Sequence, residues 1–200
     1  MADKGDLFQI SDEFKRQADQ ILYDSRIVEL FSTYGEVKLV GSYPLNVMFR
    51  PDLDIYVLVK KYNFKKVTQI ISDLISKNYF QQICFANWQD FSRDKGIKGY
   101  YLEPKINIGN NRWKLDIWFM TEDQYEPHTE RFLDLMKKSL NPEETRQTIL
   151  KFKDYFHEGE KYKNGVNGRM IYNAILLKGI KTPEELKLSV LESDGVSSNL

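Results

Sequence analysis

The sequence predicts an α+β protein in which a mixed β-sheet of about five strands is flanked by helices and followed by a helical C-terminal portion. Two observations lead to this prediction. Up to about residue 120, short runs of apolar, β-branched and aromatic residues alternate with helical patterns. After residue 124 the strand pattern ends and helix-start signals take over. We therefore divide the chain into a core, residues 1–122, and a helical portion, residues 123–200, that packs on this core.

Five segments have the composition of strands. Their approximate positions are 37–40, 53–59, 80–86, 98–107 and 112–120. The last two are joined by Gly109-Asn110-Asn111, which is a strong hairpin signal between two strand-like segments. Pro104 has no backbone N–H to donate, so we expect the strand that contains it to lie at the edge of the sheet.

Helices are predicted from apolar periodicity and from capping residues. Residues 12–32 form an amphipathic pattern, and Ser11 is placed as its N-cap. Asn63 is placed to cap a second helix. In the C-terminal portion, Asn141 and Thr182 each precede Pro-Glu-Glu, which combines a cap, a proline at the first helical position and a glutamate at the third. Two helices should therefore begin at these residues.

The composition argues against several classes of protein. The chain has 29 basic and 29 acidic residues, which weighs against a nucleic-acid partner without ruling out a local basic patch. It shows neither a signal-peptide core nor an 18-residue apolar stretch, so we expect no membrane partner and a cytoplasmic location. One cysteine can form neither an internal disulfide nor a cysteine zinc site. Because this cysteine, Cys84, lies in an apolar run, we expect it to be a small buried residue of the core.

Two aspartates at the start of a predicted strand are the first candidates for chemistry. Asp52 and Asp54 are two residues apart, so on a strand their carboxylates point to the same face. Like charges held this close repel each other, so a positive group must lie between them, one of them must be protonated, or water must screen them. A divalent cation is the natural partner for such hard oxygen ligands. The alternative is that Asp52 belongs to a turn after Pro51 and that Asp54 faces solvent.

Two further features support a site of this kind. Asp116 interrupts an otherwise apolar strand, where a charged group is costly unless it is paired or bound to metal. Gly41 and Ser42 close the preceding strand, with nine residues between Ser42 and Asp52. A glycine allows a phosphate to approach the backbone, and the serine hydroxyl and nearby amides can donate hydrogen bonds to it.

Together these segments resemble a known signature. Leu39-Val40-Gly41-Ser42, followed after nine residues by Asp52-Leu53-Asp54-Ile55 and later by Leu115-Asp116-Ile117, is similar to the pattern of the DNA polymerase beta-like nucleotidyltransferase superfamily. The spacing of nine is at the short end of that pattern. The resemblance covers about residues 36–120, and it implies a nucleotidyltransferase-like mixed sheet flanked by helices.

The resemblance also implies a reaction and its ligands. Asp52 and Asp54 would hold two Mg²⁺ ions, and Asp116 would bind the ion nearest the acceptor. Gly41 and Ser42 would hold the triphosphate tail of a nucleoside triphosphate, with ATP as the expected nucleotide. Two cations suit such chemistry because they stabilise both the attacking and the leaving oxygen of an in-line displacement.

Three functional hypotheses remain open from the sequence. The first is transfer of a nucleoside monophosphate to a small-molecule hydroxyl, as in aminoglycoside and lincosamide transferases. The second is transfer to a protein or to the end of an RNA, as in toxin-type members, although a neutral chain is poorly suited to a polyanion. The third is a non-catalytic nucleotide-binding module, which would have no physical need for three clustered carboxylates. The acceptor and the oligomeric state stay undetermined.

Glu103 is a candidate general base because of the predicted hairpin register. If the hairpin closes symmetrically, opposed residues have numbers that sum to 219, so Ile108 faces Asn111 and Glu103 faces Asp116. A carboxylate crowded by another carboxylate can have a raised pKa, which suits proton abstraction near neutral pH. The alternative is an exposed glutamate on an edge strand.

The three tryptophans have different expected positions. Trp118 shares a face with Asp116 on a regular strand, so we expect it to line the pocket. Trp113 should point into the core. Trp88 lies in a polar connector, where it either packs on the surface or forms a stacking platform for a base.

Overall fold

The structure is a computed structural model that describes residues 4–89, 98–158, 161–162 and 165–197. It divides into two compact units. The sheet unit comprises Phe14–Tyr43 and Pro51–Pro127. The helical unit comprises Met1–Glu13, Pro44–Arg50 and His128–Leu200. The chain therefore passes between the two units several times, whereas a single boundary after residue 122 would have it pass only once.

The sheet unit contains a mixed five-stranded sheet. Its strands are β1 (Glu36–Val40), β2 (Asp52–Val59), β3 (Gln82–Asn87), β4 (Tyr100–Ile108) and β5 (Asn111–Thr121). They lie in the order β1-β2-β5-β4-β3, and β2 and β5 run parallel while the other neighbours run antiparallel. The predicted α+β class, with a five-stranded mixed sheet and a helical C-terminal part, is confirmed.

Strand alternation gives this sheet one apolar face and one polar face. On β2, Leu53, Ile55 and Val57 are fully buried, whereas the residues between them are half-buried. Trp113 is also fully buried, as predicted, and its Nε1 donates a hydrogen bond to Gln17 Oε1 at 2.9 Å. The polar face is the one on which the predicted functional residues lie.

The prediction for Pro104 is wrong. Its strand, β4, lies between β5 and β3, and β3 forms the edge of the sheet instead. The sheet tolerates the missing N–H because the β4–β5 ladder skips residues 103 and 104. Cross-strand pairs flank this gap at Leu102–Ile117 and Lys105–Lys114, so the register is the same on both sides of it.

In the described part of the sheet unit, three α-helices lie wholly or partly within it, and their starts test the capping predictions. They are α1 (Lys4–Asp19), which continues into a π-helical turn, α2 (Ile27–Ser32) and α3 (Phe64–Ser76). Asn63 caps α3 as predicted, since its Oδ1 accepts a hydrogen bond from Lys66 N at 3.1 Å. The predicted cap at Ser11 is wrong. Ser11 is buried inside α1, where its Oγ donates to Asn46 O at 3.3 Å.

The helical unit is built from the last four helices together with two shorter segments. The helices are α4 (His128–Lys138), α5 (Pro142–Phe156), α6 (Gly168–Leu176) and α7 (Pro183–Ser197), with a small β6–β7 ladder at His157–Glu158 and Lys161–Tyr162. Both predicted caps are confirmed: Asn141 accepts from Glu144 N at 3.2 Å, and Thr182 Oγ1 accepts from Glu185 N at 3.3 Å. Among the described residues, none of the helices has the length and apolarity that a membrane span requires.

The segment between β1 and β2 belongs to the core of the helical unit. Val47 is fully buried there with apolar side chains of α5. The ammonium of Lys153, also buried, donates to Val47 O at 2.6 Å, and Arg146 Nε donates to Asn46 O at 2.7 Å. Two backbone carbonyl groups of this connector, of which that of Val47 is buried, are thus satisfied by cationic side chains of α5.

Candidate active site

The parallel pairing of β2 with β5 places Asp54 directly beside Asp116. The same register pairs Asp52 with Lys114. Because residues two apart share a face of a strand, these four side chains project from the polar face, opposite to the buried Leu53. The sheet therefore brings together the three carboxylates that were selected from the sequence.

Lys114 neutralises part of this negative charge. Its Nζ lies 2.6 Å from Asp116 Oδ2 and 3.5 Å from Asp52 Oδ1, and the side chains of these aspartates are only 19% and 23% exposed. Burial alone would lower the pKa of Lys114, but the surrounding carboxylates outweigh it and raise that pKa. Sequence reasoning missed this residue, although its position two residues before Asp116 could have indicated a shared face.

The donor set suits a divalent cation, because carboxylate oxygens are the ligands that Mg²⁺ prefers. Asp52, Asp54 and Asp116 supply such oxygens from two adjacent strands. Within the described part of the chain, no three acidic, histidine or cysteine side chains yet converge closely enough to enclose an ion. A metal bound here would compete with Lys114 for the oxygens of Asp52 and Asp116.

Gly41 lies beside this carboxylate cluster. It directly follows Val40, the last residue of β1, and Val40 pairs with Asp54. Its φ of +69° lies in the left-handed region, and a Cβ added there would be 2.1 Å from Asp54 Oδ2. Only glycine allows the backbone to come this close to the Asp54 carboxylate. Ser42 follows directly, so the predicted phosphate-binding pair lies beside the predicted metal ligands.

Tyr43 anchors the turn that contains Gly41 and Ser42. Its side chain is buried, and its hydroxyl donates to Asp19 Oδ1 at 2.7 Å. The ammonium of Lys15 lies 3.6 Å from the centroid of the Tyr43 ring. Both contacts are made to α1, so this helix fixes the position of the turn.

On the other side of Asp116, a tyrosine connects it to Glu103. The Tyr101 hydroxyl makes hydrogen-bonding contacts with Asp116 Oδ1 and with Glu103 Oε2, the latter at 2.9 Å. Burial and the two carboxylates raise the pKa of Tyr101 above its usual value. The tyrosine therefore stays protonated and remains a hydrogen-bond donor at neutral pH.

The predicted register of Glu103 is confirmed, but its predicted pKa is wrong. The flanking pairs place Glu103 across from Asp116. Burial tends to raise the pKa of Glu103, but the Tyr101 hydrogen bond and Lys105, whose Nζ lies 3.2 Å away, outweigh burial and lower it. The neighbouring tyrosine and lysine thus offset the repulsion between Glu103 and Asp116 on which the prediction relied.

A cavity of about 360 Å³ borders Asp54 and Asp116. Its walls are largely aromatic. We call it the aromatic cavity, and its aromatic lining comprises Tyr56, Phe85, Trp88, Tyr101 and Trp118. The predicted position of Trp118 is confirmed, and its ring centroid lies 4.9 Å from that of Tyr101.

Cys84 lies at the margin of the aromatic cavity and is exposed, so its predicted place in the buried core is wrong. The reason is its strand. Because β3 is the edge of the sheet, an apolar run there does not guarantee burial on both faces.

No protein-family model and no curated protein matches this chain. Among solved structures, the chain resembles the structure of a GLD-2/RNP-8 complex with a TM-score of 0.47 and 14% identity, over 94% of this chain and 82% of that one. It also resembles the non-canonical poly(A) polymerase complex GLD-2–GLD-3 with a TM-score of 0.39 and 13% identity, over 94% and 74%. Similarity at this level supports no conclusion about activity.

Proposed function

We propose that this protein is a metal-dependent nucleotidyltransferase. It would move a nucleoside monophosphate from a nucleoside triphosphate to an acceptor hydroxyl and release pyrophosphate. The observation that supports this most strongly is the side-by-side pairing of Asp54 and Asp116 on parallel strands, with Asp52 on the same face. Clustered carboxylates repel each other, and Lys114 offsets only part of this repulsion, so a bound divalent cation would stabilise the cluster further.

In this proposal the three aspartates divide the work of binding two Mg²⁺ ions. Asp52 and Asp54 would hold both ions, and Asp116 would hold the ion nearest the acceptor. When bound, the ions would supply positive charge to the attacking and leaving oxygens. Lys114 would then turn from a partner of Asp52 and Asp116 into a free cation at the border of the site.

Gly41 and Ser42 would hold the triphosphate tail. The Gly41 backbone lies against the Asp54 carboxylate with no room for a Cβ, so a phosphate that is bound by these amides would also lie close to the metal ligands. ATP is the nucleotide we expect. In the transfer, the acceptor oxygen forms a bond to the α-phosphorus, and the bond from that phosphorus to the β-bridging oxygen breaks.

The proton of the acceptor hydroxyl must pass to a base on the acceptor side of Asp116. Glu103 is the candidate, because it lies across from Asp116 and is linked to it through Tyr101. With its lowered pKa, Glu103 would be ionised at neutral pH and able to accept a proton. Its basicity is modest, so most of the activation would come from the cations.

The acceptor we propose is a small molecule of the aminoglycoside or lincosamide kind. The aromatic cavity, about 360 Å³ in volume, is within the usual size range of small-molecule sites, roughly 300–1,000 Å³. Its position next to Asp54 and Asp116 puts a bound hydroxyl near the reacting phosphate. The neutral net charge of the chain gives no comparable support for a polyanionic acceptor.

The test is incubation of the protein with Mg²⁺ and each of the four ribonucleoside triphosphates, with candidate acceptors present. We expect pyrophosphate release with at least one nucleotide, and a rise in thermal midpoint with Mg-nucleotide, because ligands that bind only the folded state stabilise it. The matched control is the Asp54→Asn variant. Absence of both effects at millimolar nucleotide would contradict the proposal.

A further inference from the structure

The hydroxyl of Tyr101 lies between two carboxylates that the sheet places across from each other. Glu103 on β4 faces Asp116 on β5 in the register of the hairpin. Like charges that are directly opposed destabilise a pair of strands. The Tyr101 hydroxyl contacts both groups, Asp116 at Oδ1 and Glu103 at Oε2. A neutral donor therefore separates two groups that would otherwise repel each other.

The position of this hydroxyl follows from the strand register. Tyr101 and Glu103 are two residues apart on β4, so they share a face of the sheet. Tyr101 pairs with Trp118, and Asp116 precedes Trp118 by two residues on β5, which makes it the diagonal neighbour of the tyrosine. Long and aromatic side chains can reach a diagonal neighbour. The Tyr101 ring lies 4.9 Å from that of Trp118, centroid to centroid, and this packing holds the hydroxyl in place.

We infer that Tyr101 is a positioning residue of the active site, whose hydroxyl holds Oδ1 of Asp116 and thereby leaves Oδ2 to a divalent cation. This inference rests on the proposed nucleotidyl transfer and goes beyond it by assigning a role to a side chain that is not itself a metal ligand. Tyr101 acts through Asp116, and its hydroxyl contacts neither the cation nor the nucleotide.

The two oxygens of Asp116 have partners of different charge. Oδ2 lies 2.6 Å from the ammonium of Lys114, whereas Oδ1 is contacted by the neutral hydroxyl of Tyr101. A cation at Oδ2 would repel the ammonium and displace it, but it would not repel the hydroxyl. The contact with Tyr101 can therefore persist when a metal binds. Hydrogen-bond partners of this kind orient metal ligands, and their loss lowers metal affinity or activity roughly 10–100-fold.

The effect of Tyr101 should reach the site through Asp116 more than through Glu103. Glu103 keeps a second partner, since its Oε1 lies 3.2 Å from the ammonium of Lys105. For Asp116, the contacts shown within the described ranges are those with Lys114 and Tyr101. Without the hydroxyl, Asp116 would be held by the Lys114 ammonium, which is the group that opposes metal binding. The Asp116 side chain is only 19% exposed, so water is a poor substitute for the lost donor.

The experiment is calorimetric titration of the full chain with Mg²⁺, without nucleotide. Tyr101→Phe removes the hydroxyl and keeps the ring that packs on Trp118. We expect the apparent Kd for Mg²⁺ to rise about tenfold, which is opposite in sign to the effect expected of Lys114→Met. The matched control is Tyr79→Phe, which removes the hydroxyl of an exposed tyrosine outside the cavity and should leave the Kd unchanged. Urea unfolding verifies that each variant is folded.

The transfer assay gives a second measurement. In Tyr101→Phe, kcat should fall about tenfold, while the KM for the acceptor should change little because the cavity keeps its aromatic wall. A double-mutant cycle identifies the carboxylate through which Tyr101 acts. Added to Asp116→Asn, the substitution at Tyr101 should cost no further activity. Added to Glu103→Gln, it should still cost about tenfold.

Three results would overturn the inference: an unchanged Kd for Mg²⁺ in Tyr101→Phe, an equal rise in Tyr79→Phe, or a full loss of rate in the Asp116→Asn background. Absence of Mg²⁺ binding by the wild type would overturn it as well. The transfer assay of the wild type judges the proposed function separately. If the wild type transfers nucleotide and Tyr101→Phe matches it, only the role of Tyr101 is wrong. If the Mg²⁺ affinities shift as expected and no nucleotide is transferred, the role of Tyr101 in orienting Asp116 stands and the proposed transfer fails.

Discussion

Asp54 restricts residue 41 to glycine. Its Oδ2 is so close to the backbone of Gly41 that a Cβ there would lie 2.1 Å away. This contact joins the turn after β1 to Asp54, one of the three clustered carboxylates. It gives a physical reason for the glycine that is independent of any ligand, and it links the geometry of the phosphate-binding turn to that of the metal ligands.

Gly41→Ala should therefore lose more stability than Gly109→Ala. Both glycines have positive φ, +69° and +57°, but Gly109 has no atom within 4 Å of an added Cβ. In each variant an alanine must adopt the left-handed backbone conformation, which lowers the free energy of unfolding by about 1 kcal/mol. In Gly41→Ala the new Cβ must also displace the Asp54 carboxylate. Urea unfolding measures the difference, and a thermal scan with Mg-ATP should show that only Gly41→Ala loses the stabilisation by nucleotide. Equal losses in the two variants would contradict this explanation.

Asp52→Asn, Asp54→Asn and Asp116→Asn should each slow nucleotidyl transfer by at least about 10²-fold, because metal charge supplies several kcal/mol to such reactions. The fold should survive, since the substitutions are nearly isosteric on a half-buried face. Asp123→Asn, at an exposed position of the same unit, is the control and should retain full activity. A near-normal rate in one of the three variants would remove that residue from the mechanism.

Lys114→Met should lower the free energy of unfolding of the protein and increase its affinity for Mg²⁺. Without the ammonium, Asp52 and Asp116 repel each other more strongly, so the free energy of unfolding falls in metal-free buffer. A metal would no longer need to displace the ammonium, so the apparent Kd for Mg²⁺ should fall several-fold. Lys105→Met removes the ammonium that contacts Glu103 and is the matched control. Calorimetry that shows equal Mg²⁺ affinities in both variants would rule out this competition.

His157 should make the protein sensitive to mild acid. Burial, aided by the positive charge of Arg50, lowers the pKa of His157 below its usual value of 6.5. The unfolded chain therefore binds a proton more readily at this side chain, and stability decreases as the pH falls below 6.5. Between pH 7 and pH 5, the unfolding free energy of His157→Gln should decline less steeply than that of the wild type. Above pH 7.5 the two curves should run parallel, and parallel curves over the whole range would refute the role of His157.

Local patterns explain what could be predicted from the sequence. The two-residue period of a strand was enough to put Asp52 and Asp54 on one face. The turn at Gly109-Asn110 was enough to set the register of the hairpin, and with it the position of Glu103 across from Asp116. Each inference used residues that are neighbours in the chain or are joined by a short turn.

Non-local pairing explains what could not be predicted. The parallel contact between β2 and β5 joins residues about 60 positions apart, and no turn sets its register. For the same reason the sequence did not reveal that Lys114 lies between Asp52 and Asp116. The environment of Glu103 also depends on Tyr101, which shares its strand face but whose second contact, to Asp116, is set by the side-chain geometry of the folded sheet.

Competition between signals accounts for other errors. Ser11 has the right residue type for a cap, but the helix already begins at Lys4, and the serine donates to the carbonyl of Asn46 instead. Pro104 suggested an edge strand, but its strand is held in the interior of the sheet by pairs on both sides. Tertiary packing overrode the local preference at both residues.

The most direct test of nucleotidyl transfer follows the phosphorus atoms. Protein, Mg²⁺ and acceptor are incubated in parallel with ATP labelled at the α-phosphorus and with ATP labelled at the γ-phosphorus. Transfer at Asp52, Asp54 and Asp116 predicts that the α-label becomes attached to the acceptor, that the γ-label appears in pyrophosphate, and that both changes disappear in Asp54→Asn. Attachment of the γ-label to the acceptor, or no change of either label with any nucleotide, would contradict it.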